Sequence, residues 1–136
     1  MMSLEQAFER TTAEERERSF VITDPSLEDN PIVFVNDAFT RVTGYARDEI
    51  LGRNCRFLQG AETDPKAVAE VRRALARAAQ ITIDLLNYRK DGTPFWNRLR
   101  IKPIFADDGT VESFVGFQNP IDAAEVRSEP FFRIWD

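Results

Sequence analysis

Histidine is missing from all 136 residues, and cysteine occurs only once. Without imidazole the chain lacks the usual acid–base catalyst and the commonest zinc and haem ligand, so His-based catalysis and most such metal sites are excluded for it alone. No metal site is expected. A lone cysteine cannot close an intrachain disulfide, so Cys55 has the chemistry of a free thiol, and a chain with no disulfide framework fits a reducing cytoplasm. Apolar runs approaching the roughly 18 residues of a membrane span are lacking, and no membrane insertion is expected. The first twenty residues are dominated by charge, unlike a secretory signal peptide. Cations are outnumbered, 18 Lys and Arg against 23 Asp and Glu for a formal charge of −5. Nucleic-acid-binding domains are usually basic, so no nucleic-acid partner is expected.

What is present suffices for one ordinary domain with a single core around a small ligand. The segment 1–18 reads as an amphipathic flanking helix, with Leu4, Ala7 and Phe8 at i, i+3, i+4 and a charged stretch after them. Short β runs follow at Phe20–Thr23 and Ile32–Val35, separated by an acidic, Pro-flanked loop. Asn36 and Asp37 can cap a short helix over Ala38, Phe39 and Val42 that ends at Gly44. Asp48 to Leu51 gives one more helical turn. Asp64 and Pro65 are an N-cap and first helical residue for the one long helix, whose buried stripe is Val68, Val71, Leu75 and Ala78.

The rest alternates as strands. Ile81 to Tyr88 is β-rich, Asp91-Gly92 signals a hairpin, and Phe95 to Ile101 places Asn97, Leu99 and Ile101 on one face, with Trp96, Arg98 and Arg100 on the other. Asp107-Asp108-Gly109 turns the chain into Val111 to Asn119. Beyond Pro120, Ile121, Ala124 and Val126 suit a short helix stopped by Pro130, before the aromatic tail Phe131 to Trp135. These elements describe an α+β domain, an antiparallel sheet with helices on one face.

Gly52-Arg53-Asn54-Cys55-Arg56-Phe57-Leu58-Gln59-Gly60 concentrates the chemistry. Gly52 and Gly60 bracket a tight turn or short helix. Arg53 and Arg56 suit an anion, either a thiolate or a bound phosphate. Asn97 lies on the strand face of Leu99 and Ile101, and a buried amide without partners costs a few kcal/mol, so something must meet it. Taken singly, such an amide could bond ordinary backbone.

The nine-residue run resembles the signature of the LOV (light, oxygen, voltage) branch of the PAS family, and the resemblance extends from about Phe20 to Pro120. It implies a PAS-type five-stranded antiparallel sheet over 19–121, with short flanking helices at 1–18 and 122–136. It also implies a blue-light photoreceptor that binds FMN, not an enzyme, in which Cys55 adds reversibly to the flavin C4a carbon after illumination. Asn87, Asn97 and Gln118 would bond the pyrimidine edge, with Gln118 flipping its amide as the neighbouring nitrogen is protonated. Arg56 and Arg72 would hold the phosphate, which favours FMN over FAD. Arg53, Arg73 and Arg77 read as surface charges. Val21, Ile32, Phe39, Leu58, Val71, Leu75, Leu99, Ile101 and Phe114 would pack on the ring, while Thr23, Asn30, Asn54 and Gln59 line its surroundings.

The run Asn87 to Asn97 resembles bacterial LOV kinases, which favours the sensor fragment of a larger receptor over a free-standing short LOV protein. The expected partners are a second copy, through the terminal segments and outer sheet face, and a downstream effector or kinase. The competing expectation is a light-independent PAS domain for flavin or redox sensing or protein interaction.

Overall fold

The architecture follows from where the chain is allowed to turn. The computed structural model describes residues 18–128, so the expected N-terminal helix, the aromatic tail and the dimer contacts assigned to them lie outside the described residues. Strand β1 (Ser19–Thr23) leads through a loop to β2 (Ile32–Val35). Within that loop Asp29 and Asn30 take left-handed conformations with φ of 66° and 47°, a region that Asn and Asp tolerate better than other side chains. Helix α1 (Asp37–Thr43) begins under the Asn36 side chain, whose Oδ1 accepts from Phe39 N at 3.1 Å, and ends at Gly44 with φ 81°. The same Oδ1 accepts from Phe20 N at 3.0 Å, so one cap also pins β1. Helix α2 (Arg47–Ile50), a 3₁₀ turn at Cys55–Leu58 and helix α3 (Pro65–Ala76) follow.

Three long strands complete the sheet: β3 (Ile81–Tyr88), β4 (Pro94–Phe105) and β5 (Val111–Gln118). The order is β2-β1-β5-β4-β3, with each neighbouring pair antiparallel. This is the expected α+β arrangement with one addition. A sixth, two-residue strand β6 (Pro120–Ile121) pairs with β4 through Trp96↔Ile121 and Asn97↔Pro120. The short helix expected beyond Pro120 is reduced to a 3₁₀ turn at Ala123–Glu125. Its continuation is pre-empted: the Glu125 carbonyl accepts from Arg98 Nη2 at 2.9 Å, and the Arg127 N–H donates to Asp84 Oδ2 at 2.8 Å.

Register sorts the side chains into two faces. Across three strands, Val21, Gly116 and Ile101 stand in one row, while Leu99 pairs with Ile83 in the next and Asn97 with Leu85 in the one after. These residues face the helices. On the opposite face Phe20, Ile22, Ile104, Val115 and Phe117 form a separate buried cluster. Asp84 is also on that face, with its side chain fully buried against Arg98 at 2.8 Å.

The expected stripe on α3 overshoots the helix by one turn. Ala78 lies past its end with φ 53°, in a closing turn where Ala79 N donates to Ala74 O at 2.9 Å and Ala78 N to Leu75 O at 3.2 Å. Glycine is the usual occupant of that left-handed position, because a Cβ there costs about 1 kcal/mol. Ala78→Gly is therefore expected to stabilise the fold by about 1 kcal/mol and raise the thermal midpoint by about 4 °C, read by calorimetry.

Candidate functional site

Between α3, the Cys55 turn and the inner sheet face lies a cavity of about 100 Å³ that opens to solvent at one mouth. The turn that carries Cys55 is hung from the start of β2. Ile32 N donates to Arg53 O and Gly52 N to Ile32 O, each at 2.8 Å, with Gly52 at φ 87°. Asn54 caps the turn: its Oδ1 accepts from Arg56 N at 3.0 Å, and its Nδ2 donates to Asp29 O at 2.7 Å. Gly60 closes the segment for a steric reason, since a Cβ there would meet the Tyr88 ring at 2.3 Å. The thiol is thereby held at the cavity wall from two sides.

Cys55 keeps some accessible surface, and it lines the cavity. Burial among protein atoms pushes its pKa up to about 12, only partly offset by a backbone hydrogen bond. The group is a neutral S–H donor, so of the two anions the flanking arginines could suit, a thiolate or a phosphate, the thiolate is disfavoured. Both are engaged elsewhere. Arg53 lies over the Phe57 ring at 4.6 Å, and Arg56 makes a bidentate pair with Asp29, one bond of it 2.9 Å. That pair holds the Asp29 carboxyl below the ordinary range.

The polar side of the cavity is a row of amides. Asn97 Nδ2 donates to Asn87 Oδ1 at 2.9 Å, and Asn87 Nδ2 donates to Leu86 O at 3.2 Å. One N–H on each amide remains for another acceptor. Gln118 Oε1 accepts from Ser19 Oγ at 3.1 Å, which leaves its Nε2 toward the cavity. Thr23 Oγ1 and Asn30 Oδ1 are buried without a hydrogen-bond partner, and both residues line the cavity. Orphaned polar atoms beside an apolar slot call for a ligand that can donate to or accept from them.

A PAS domain model matches residues 17–121. A blue-light-activated histidine kinase 1 of Erythrobacter litoralis is 51% identical over 107 residues, which are 79% of this chain and 30% of that protein. Phototropin-1A of Oryza sativa subsp. japonica is 51% identical over 108 residues, 79% of this chain and 12% of that protein. The chain thus spans well under half of either relative. A solved light-oxygen-voltage domain, from work on its mechanism with a flavin analogue, is 50% identical with a TM-score of 0.79, each chain covered to 82%. The LOV domain of the Erythrobacter litoralis EL346 blue-light activated histidine kinase is 42% identical with a TM-score of 0.74, covering 76% of this chain and 95% of that one. The chain belongs to the LOV branch of the PAS family.

Within this LOV domain, the structure brings Cys55, Thr23, Asn30, Asn54, Arg56, Leu58, Gln59, Val71, Leu75, Asn87, Asn97, Leu99, Ile101, Phe114 and Gln118 around the one cavity. Arg72, although expected at the site, does not line it. It is exposed one position past Val71 on α3, and borders the outer cleft beyond the mouth together with Asp29 and Arg56. Ile32 and Phe39, expected on a ring, instead pack behind the Cys55 turn with Val35 and Ile50. Leu85 and Gly116 line the cavity without having been foreseen as site residues. Period-2 alternation back from Asn87 would have found Leu85. An in-strand glycine, marking close approach, was the cue for Gly116.

The raised thiol fixes a pH signature. Below pH 9 the thiol is protonated in both folded and unfolded chains, so it contributes no pH dependence. Between about 9 and 12 the unfolded chain gives up the proton and the folded chain holds it, so stability falls as pH rises through that window. Thiolate absorbance of the folded LOV domain is expected to stay flat through pH 10 and to rise near the ordinary value in denaturant. A folded-state rise below pH 9 would contradict the burial.

Proposed function

We propose that this LOV domain is a blue-light sensor that holds flavin mononucleotide and signals through its single thiol. The observation that carries this is a lone, protonated cysteine on the wall of a cavity whose opposite side is a row of amides with N–H groups to spare. The fit to a flavin is good on the residues present. Val71, Leu75, Leu99 and Phe114 supply apolar walls, and Asn87 and Asn97 supply donors for ring carbonyls. Thr23 and Asn30 carry otherwise orphaned oxygens. When bound, the flavin absorbs blue light and presents a ring carbon, C4a, to which a thiol adds reversibly.

The chain's own groups do the rest. Cys55, kept neutral by burial, brings both the sulfur and the proton that must leave it, so no outside base is needed. Gln118 presents Nε2 while Ser19 holds Oε1. A rotated amide exchanges donor and acceptor, and the hydroxyl of Ser19 can follow by turning. Arg56 sits at the mouth for a phosphate, with Arg72 on the outer cleft beside it. A phosphate dianion would compete with the Asp29 carboxylate for Arg56, whose fork suits two phosphate oxygens.

In this reading 19–121 is the sensor core, and 1–18 and 122–136 are flanking segments that carry the signal to a second copy or an effector. Activity such as that of the kinase relatives belongs to residues outside this chain, and the sensor turns over no substrate. The reducing cytoplasm is the compartment that keeps its thiol free.

Purified protein is expected to be yellow, to bleach in blue light and to recover in the dark. Cys55→Ala should keep the colour and lose the bleaching. Colour without bleaching in the parent protein would favour the light-independent flavin or redox sensor, and a colourless protein that takes up no flavin would refute both. Replacing Arg56 and Arg72 together with Ala should weaken FMN by about tenfold or more while moving riboflavin by less than about threefold. Equal losses for the two ligands would remove the phosphate role.

A further inference from the structure

Asn119 follows Gln118 and does not line the cavity, yet its backbone N–H reaches the site. It donates to Asn97 Oδ1 at 2.9 Å. Asn97 is 1% exposed, so the bond is shielded from water. A backbone N–H can only donate, which leaves Asn97 one allowed orientation: Oδ1 toward Asn119 and Nδ2 toward Asn87 and the cavity. Asn87 inherits its orientation in turn, because its Oδ1 must accept from Asn97 Nδ2. We propose that Asn119 is a positioning residue, whose backbone N–H sets the polarity of both cavity amides and makes the site select a ligand edge that offers acceptors. This rests on the flavin reading above only for the identity of the ligand.

The bond is held in place from the other side. Asn119 O accepts from Arg98 N at 2.8 Å, and Asn119 Nδ2 donates to Arg98 O at 3.0 Å. Both links fix Asn119 against the strand that carries Asn97, one residue away. Pro120, next in line, cannot donate from its nitrogen, so the Asn119 N–H, one residue past the end of β5, is the last backbone donor able to serve the cavity from this position. With the amide reversed, Asn97 would set an N–H against an N–H, leave a buried donor unmet and turn its carbonyl to the ligand.

The direct test needs no ligand. In isotope-labelled protein without added flavin, a scalar coupling across the hydrogen bond is expected between the Asn119 amide nitrogen and the Asn97 side-chain carbonyl carbon. Its absence, with rapid exchange of the Asn119 amide, would overturn the proposal. Riboflavin, titrated by fluorescence quenching, reads the consequence. Asn119→Pro, which deletes the N–H, should weaken it about tenfold. Asn119→Ala, which keeps the N–H, should recover most of that loss. In an Asn97→Ala background the proline substitution should cost less than about twofold, since its target is gone. Equal losses with and without Asn97 would count against the assignment. Failure of the parent protein to bind riboflavin or FMN would refute the proposed function, and the coupling would still report on Asn119.

Discussion

Burying amides in an apolar slot is costly unless something answers them, and this constraint organises the molecule. Asn87 and Asn97 lie on adjacent strands and face the same cavity, and they are 4% and 1% exposed. They meet each other and the Asn119 N–H on one side, and leave donors on the other. Everything around them serves to keep that arrangement dry and fixed. The rows Leu85–Asn97 and Val21–Gly116–Ile101 come from strand register, so a slip of one residue would turn the polar groups out of the site. The thiol is set against this floor by contacts that have nothing to do with sulfur: the Ile32–Arg53 and Gly52–Ile32 backbone bonds and the Asn54 cap.

The same register gives the outer face a different chemistry. Arg98 and Asp84 alternate with cavity residues on β4 and β3, and they meet there as a buried ion pair. Such a pair contributes little net stability but fixes geometry, because losing either partner strands a buried charge. Here it grips the segment after β6 through the Glu125 carbonyl and the Arg127 N–H. Hydrogen bonds therefore run without a gap from the cavity amides through Asn119 and Arg98 to the C-terminal turn. Cavity and exit segment are thus tied to one strand, β4.

Most of this was legible in residues whose type and spacing carry their own physics. Asp64-Pro65 announced α3, Gly44 ended α1, and alternation alone put Asn97 with Leu99 and Ile101. The strand count fell one short because β6 is two residues long and is made by pairing with β4, a tertiary event with no local signature. Cys55 was readable as a thiol, but its environment was not: neighbouring arginines in sequence suited a charged sulfur or a phosphate, whereas Arg53 turns to Phe57 and Arg56 to Asp29. Arg72 shows the limit of helical phase, since one step past Val71 takes a side chain from the wall to the outer cleft. Asn119 was invisible for a simpler reason. Its contribution to the site is a backbone N–H, which every residue except proline possesses.

The central claim is that a neutral thiol stands ready at Cys55 beside a ring held by those amides. Infrared difference spectroscopy of the flavin-loaded protein tests it most directly, because the S–H stretch reports on this one group in a chain with a single cysteine. The account predicts an S–H band in the dark that disappears under blue light and returns on standing. A band that persists under illumination, or that is absent from the dark state, would contradict it.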